Sequence, residues 1–167
     1  MAVVNDDAFA QMERALVVQA TETIKAFALR LFIDIQVDTR VGQSDGGQHG
    51  SAVRTGRYAA SHRLSLNTID SSVAPPVEPY PKHDLMPDQR IVPNPPLSDV
   101  QAVLRNFKLG DKIIISNSLD YAKALEDGWS KKAPDGVYGP SLLWEQARYA
   151  AAFADLAVEV NAKVREQ

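Results

Sequence analysis

Histidine is the residue type most able to do chemistry near neutral pH, as a base, an acid or a metal ligand. The chain has three, His49, His62 and His83. They fall in a Gly-rich stretch, a segment of alternating character and a Pro-rich stretch. None has a second histidine or a carboxylate at a recognisable ligand spacing, and closed metal sites need three or four convergent ligands. His62 stands between Ser61 and Arg63 and is expected to make a surface or interface contact. Cysteine is absent, which excludes disulfides, thiolate-held zinc and thiol catalysis. There is no Gly-x-Ser-x-Gly elbow, and no Ser-His-Asp triad can be read from isolated residues. Gly42-Gln-Ser-Asp-Gly-Gly47 lacks a P-loop lysine and no apolar strand runs into it, so it reads as a flexible loop. No catalytic residue, metal or cofactor is expected, and the chain does not read as an enzyme.

The remaining candidates are contact residues. Arg54, Arg57 and Arg63 have no acid interleaved between residues 51 and 66. They form either a solvated strand edge, a known device against uncontrolled strand pairing, or a contact with DNA phosphate or an acidic neighbour in an assembly. Lys131-Lys132 admits the same two readings. The densest constellation runs from Ile115 to Gly136. A strand ends at Asn117, whose side chain can bond to local backbone. One amphipathic turn then presents Tyr121 and Leu125 on one face. Gly128 reverses the chain, Trp129 can anchor the turn in the core or an interface, and Pro134-Asp135-Gly136 is a turn signal.

These residues must be positioned by a small set of elements. Asn5, Asp6 and Asp7 suit a helix start. Phe9, Met12, Leu16, Ala20, Ile24, Phe27 and Leu31 recur at steps of three and four, predicting a helix from about Asp6 to Leu31 or slightly beyond. Phe32 to Val37 reads as a short strand or a frayed helix end. Tyr58, Ala60, His62, Leu64 and Leu66 share one parity, the period of a half-buried strand. Eight of the ten prolines fall between Ser71 and Pro96, so neither helix nor central strand can persist there. A short helix from Ser98 or Asp99 to Phe107 ends before Gly110. Lys112 to Ile115 reads as a buried strand, and Leu119 to Asp127 as a short helix. The last helix is expected from Pro140 or Ser141 to Lys163, with Leu143, Ala147, Ala150, Phe153, Ala157, Val160 and Val164 as its apolar stripe.

The order implies an α+β fold: long N- and C-terminal helices packed on a small, mostly antiparallel β-sheet, with a long Pro-rich arm. Residues 1–167 read as a single domain, with a flexible Gly-rich loop at 41–51 and an extended Pro-rich arm at 71–97. Composition agrees: 45% of residues are hydrophobic and 23% charged, as in ordinary globular domains. The net charge of -3 lacks the basic excess of a general nucleic-acid binder. No basic stretch followed by an apolar run opens the chain, and no window is apolar enough to span a bilayer.

The segment from Ile115 to Gly136 resembles the tail-completion and neck proteins of long-tailed bacteriophages, of the lambda minor tail protein Z type. Ile115, Asn117, Tyr121, Ala122, Leu125, Glu126, Gly128, Trp129, Ser130, Lys131, Ala133, Pro134 and Gly136 stand at positions matching that family's pattern. Thr55-Gly56-Arg57 matches a second feature, a Thr-Gly-Arg at the start of a strand. The Pro-Val-Asp customary ahead of it is replaced by Ser51 to Arg54. The resemblance implies a structural virion protein that forms a ring, expected as a hexamer, at the head-proximal end of the tail. Such a ring completes the tail and enables head–tail joining around the DNA channel. Its partners would be further copies of itself and neighbouring neck, connector, tail-terminator or tail-tube proteins. DNA would pass through the lumen without sequence-specific binding, and no membrane is involved. The virion neck would be its location, after assembly in the host bacterial cytoplasm. Thr55, Gly56, Arg57, Asn117, Tyr121, Leu125, Glu126, Gly128, Trp129, Ser130, Lys131 and Pro134 are then interface candidates. Arg54, Arg57 and Arg63 become candidates for the channel or an acidic partner. A tail terminator or head-side connector is the nearest alternative, and a small non-phage binding module or enzyme the alternative of another class.

Overall fold

The computed structural model describes residues 6–37, 57–75, 97–129 and 133–165. The Gly-rich loop expected at 41–51 lies outside these residues. So does most of the Pro-rich arm expected at 71–97: residues 71–75 carry neither helix nor strand, and Leu97 already belongs to the next helix.

The elements in chain order are α1 (Asp6–Val37), α2 (Arg57–Ala60), β1 (His62–Leu66), α3 (Leu97–Arg105), β2 (Ile113–Asn117), α4 (Ala122–Glu126) and α5 (Tyr138–Arg165). The architecture is α+β, with one two-stranded antiparallel sheet. α1 runs six residues past Leu31, where a strand or frayed end was one expectation. The reason is burial. Ala28, Phe32 and Ile35 fall on one helical face and are all buried, and packing of that face outweighs the weak helix preference of the β-branched residues beside it.

The sheet begins later than the alternating pattern suggests. Arg57–Ala60 forms one helical turn, in which Tyr58, Ala59 and Ala60 are all buried. Ser61 closes that turn, its Oγ donating to the Arg57 carbonyl at 2.7 Å and its amide to the Tyr58 carbonyl at 3.1 Å. Only from His62 onward does the alternation describe a strand. β1 pairs with β2 from His62↔Asn117 to Leu66↔Ile113. Beyond the last pair, Asn67 adopts φ +63, a conformation Asn tolerates better than most residues. Its side chain bonds Asp111 Oδ1 and the Lys112 amide, each at 3.0 Å. β2 is half-buried along its length, not the fully buried strand its isoleucines suggest, because only one face meets a helix.

Two core clusters result. Phe32 and Ala28 of α1 pack with Leu64, Val100 and Leu104. Ile35, one turn further on, packs with Tyr58, Leu119, Ala122, Ala133 and Val137. Ile115 touches both clusters. A two-stranded sheet is marginal by itself, so the α1 face that covers it is what holds the domain together. Each fully buried large apolar side chain contributes about 1.5–3 kcal/mol to that end.

α5 departs most from expectation. It starts at Tyr138, so Pro140 lies inside the first turn, where its missing amide costs nothing. Its first turn meets the sheet through His62, and the rest packs along α1 rather than on the sheet. Of the expected stripe, Leu143, Ala147, Ala150 and Ala157 face outward, while Phe153 lies at its margin toward α1. The side buried against α1 is led by Ser141 and Glu145, followed by half-buried Tyr149. Phe27 of α1 meets Tyr149 and Phe153 edge-on, at 5.5 and 5.9 Å between ring centroids. The side chains of Val160 and Val164 lie outside the described residues.

Candidate functional site

The segment singled out by its residue pattern folds back on itself as a braced unit. α4 ends in a full left-handed cap: Gly128 has φ +81, its amide bonds the Leu125 carbonyl at 3.1 Å, and the Trp129 amide bonds the Ala124 carbonyl at 3.1 Å. That bonding pattern is the Schellman motif, and it satisfies carbonyls a helix end otherwise leaves open. A Cβ at Gly128 would overlap the Pro134 carbonyl oxygen, and one at Gly136, also at φ +81, would lie 2.6 Å from the Glu126 carbonyl oxygen. Both glycines are required by close approach as well as by backbone sign.

Glu126 ties the unit to α5. Its carboxylate accepts from the Val137 amide at 2.8 Å, the Tyr138 amide at 3.0 and 3.1 Å, and the Gly139 amide at 3.1 Å. An anion on the free amides of a helix N-terminus is favoured by hydrogen bonding and by the helix dipole together. Asn117 ties the unit to α2: its Nδ2 donates to the Tyr58 carbonyl at 2.9 Å, and its Oδ1 accepts from the Leu119 amide at 3.2 Å. Leu125 packs on the core cluster around Ile35. Glu126, Gly128 and Asn117 thus act inside the chain.

What the brace presents outward is Trp129, 82% exposed, with Tyr121 beside α4 also exposed. Tyr121 sits 6.4 Å from the Tyr58 ring. Pro134 is exposed at the turn. Thr55, Gly56, Arg54, Ser130, Lys131 and Lys132 lie outside the described residues. The two described arginines of the basic group are engaged locally. Arg57 Nε donates to the Ala74 carbonyl at 3.0 Å. Arg63 bonds Ser72 Oγ at 2.8 Å and the carbonyls of Ala60 and His62 at 2.8 and 2.9 Å.

His62 corrects the expectation of a surface contact: it is fully buried. Its ring packs edge-on against Tyr58 at 4.8 Å and Tyr138 at 5.5 Å. Its Nδ1 lies 2.8 Å from the Tyr138 hydroxyl and 3.4 Å from Asn117 Nδ2. The Asn117 amide group is donor-only at Nδ2, so Nδ1 is the acceptor and the ring proton sits on Nε2. Burial, assisted by the charge of Arg63, lowers the His62 pKa to about 3. Burial also raises both tyrosines, Tyr58 and Tyr138, above the usual range. A neutral, enclosed imidazole is a packing and hydrogen-bonding element. The signal was present in the sequence, since His62 shares its strand parity with buried Leu64.

A second buried polar group was missed altogether. On the α1–α5 contact, Asp34 and Glu145 are both buried. Arg30 Nε reaches Asp34 at 3.4 Å and Glu145 at 3.8 Å, and Arg148 Nη1 reaches Glu145 at 3.2 Å. Burial raises Glu145 to about 7, with a hydrogen bond and the charge of Asp34 adding to the shift and the two arginines opposing it. A proton shared by the two carboxyl groups makes the bond that two carboxylates cannot.

The outward half of α5 completes the surface. Leu143 is 69% and Val158 67% exposed, and Ala147, Ala150, Ala151, Ala154 and Ala157 lie exposed between them. The charged residues of this stretch, Glu145, Arg148 and Asp155, lie off that line of residues. Among the described residues no group of three or more metal-ligating side chains gathers, and no helix is long and apolar enough to cross a membrane. Comparison of the chain with protein-family models, curated proteins and solved structures gives no match.

Proposed function

We propose that this chain is a structural subunit of a phage neck, forming a ring at the head-proximal end of the tail that completes the tail and joins it to the head around the DNA channel. It works through its surfaces and catalyses nothing. The sequence resemblance supplies the class. The observation that carries the reading is Trp129. It is the most exposed large apolar side chain described, and it stands on a turn held by the Gly128 cap and the Glu126 brace. With its backbone fixed by the cap, only the tryptophan side chain remains to be ordered on docking, and such exposed aromatics are the residues that come to dominate an interface. The uncharged outer line of α5 adds a second surface of the kind assemblies cover.

The direct test is Trp129→Ala in the virion. The folded chain loses less than about 0.5 kcal/mol, as for other exposed positions, while heads and tails accumulate unjoined. Negative-stain images of the purified wild-type protein should show closed rings. A chain absent from virions and monomeric at high concentration, or a Trp129→Ala virus that assembles normally, would sink the reading.

A further inference from the structure

Beyond its first turn α5 buries little against α1. From residue 141 to 158 its buried side chains are Ser141 and Glu145, Tyr149 and Leu156 are half-buried, and the rest are exposed. The aromatic part of the contact is the edge-on meeting of Phe27 with Tyr149 and Phe153. The first turn is held separately, by the Glu126 carboxylate on the amides of residues 137–139 and by His62 on the Tyr138 hydroxyl. Glu145 meets Asp34 of α1 two turns further along.

The charged groups at this meeting point are unequally served. Arg30 Nε carries a single N–H, and it stands 3.4 Å from Asp34 and 3.8 Å from Glu145, beyond the roughly 2.7–2.9 Å of a strong charge-assisted bond. Arg148 Nη1 lies 3.2 Å from Glu145. Both arginine side chains are partly exposed, whereas both carboxyl groups are buried. Among the described residues Asp34 Oδ2, Glu145 Oε2 and, one turn earlier, Ser141 Oγ find no hydrogen-bond partner. One proton between the two carboxyl groups supplies a donor where the arginines supply none. Without it, two like charges face each other away from water.

We infer that the Asp34–Glu145 pair is a proton-operated latch: with one proton between the carboxyl groups α5 stays clamped to α1, and on its loss α5 opens from α1 beyond the braced first turn. Opening carries both carboxylates into water. It breaks few buried contacts and leaves the sheet and the Glu126 brace in place, as expected of a segment at the low end of local stability. Burial and Asp34 raise Glu145 to about 7, against the opposing charges of Arg148 and Arg30. The closed form therefore holds the proton more tightly than the open form, and opening grows as pH rises through that value. Arg30 and Asp34 of α1 and Arg148 of α5 are the charged groups acting on Glu145 among the described residues; Glu126 and His62 meet α5 two turns away.

Residue-resolved amide exchange of the wild-type chain and of Glu145→Gln, measured side by side at pH 5.5 and pH 8.5, tests the latch, because the ratio of the two at one pH cancels the intrinsic exchange rate. At pH 5.5 the amides of residues 145–153 exchange alike in the two proteins. At pH 8.5 they exchange at least about tenfold faster in the wild type, while the β2 amides bonded to β1 keep a ratio near one. Asp34→Asn, which also leaves a single carboxyl group at the contact, behaves as Glu145→Gln does and guards against a variant that folds poorly. A ratio for residues 145–153 that does not rise between the two pH values overturns the inference. A rise shared equally by the β2 amides overturns it too, since it marks a general loss of stability and not an opening of α5.

Discussion

Glu126 sets a carboxyl group against the start of α5 and Glu145 sets one from α5 against α1, and their surroundings are opposite. Glu126 meets three consecutive backbone amides at 2.8–3.1 Å. Each donor is a group the helix end leaves open, so the charge is wanted where it sits. Glu145 is fully buried beside a second carboxyl, with arginines that are themselves partly exposed at 3.2 and 3.8 Å. Neither of its oxygens, nor Asp34 Oδ2, has a hydrogen bond of good geometry when both groups are charged. The half-buried acid is thus held by fixed dipoles and the fully buried one by sharing a proton. A partly buried charge met by organised donors is stabilising, whereas a buried charge beside its like is at best neutral.

The largest way to break this contrast is to remove the geometry that brings α4 to α5. Gly128→Ala forces a side chain into a left-handed position and into the Pro134 carbonyl. It should cost about 3 kcal/mol, summing the left-handed penalty and the overpacking, read as a lower denaturation midpoint with an unchanged slope. Glu126→Ala comes next. It leaves three amides at the α5 start without their charged acceptor and should cost about 2 kcal/mol. Glu126→Gln, which keeps an acceptor but no charge, should recover part of that loss. If Glu126→Ala proves as neutral as an exposed substitution, the brace is not what holds α5 in place.

The two regions also differ in how legible they are in sequence. The turn at Pro134–Gly136, the stop at Gly128 and β2 follow from local chemistry: proline, glycine and β-branched residues constrain the backbone wherever they occur, whereas β1, which has none of them, follows only from its alternation. Glu126 reaching amides eleven to thirteen residues away is not local, and its motif position alone suggests an interface residue. α5 shows the limit of periodicity. Its apolar stripe is real, but a stripe says which residues share a face and not what the face meets. Here Ser141, Glu145 and Tyr149 turn to α1, Phe153 lies at the margin, and the rest of the stripe turns out. A charged, small-polar face packed inward is what amphipathic patterning cannot anticipate. Nor can it see that Arg57–Ala60 coils before β1, since Ser61 fixes that turn through a single hydroxyl bond.

Acid titration sharpens the comparison further, because His62 and Glu145 act in opposite directions. The His62 pKa falls from 6.5 to about 3 on folding, so the unfolded chain binds the proton more readily. Its contribution is complete above pH 6.5 and is lost progressively as pH falls toward 3. The Glu145 pKa rises from 4.5 to about 7, so the folded chain holds the proton more tightly. Its contribution is complete below pH 4.5 and is lost as pH rises through 7. His62→Phe should abolish the first dependence, flattening the acid limb of stability measured by denaturant midpoints from pH 3 to 6.5. At neutral pH it should still cost about 1 kcal/mol, for the bonds that Tyr138 and Asn117 lose.

The smallest effect expected is that of Glu145→Gln. A neutral amide keeps the shape and can donate to Asp34, so the shared proton is replaced by a permanent donor. At pH 8, where the wild-type pair has lost its proton, the substitution should be neutral or stabilising by up to about 1 kcal/mol, because a like-charged buried pair is relieved. At pH 4.5 the wild-type pair is protonated and the advantage should vanish. The same substitution at Glu126 must behave differently at pH 8, where it should destabilise, because there the charge itself is what the helix amides bind. Equal responses of Glu126→Gln and Glu145→Gln at pH 8 would show that the two carboxyl groups are not held by different means. Opposite signs would establish that the α4–α5 brace depends on its negative charge and that the α1–α5 contact is strained by its own.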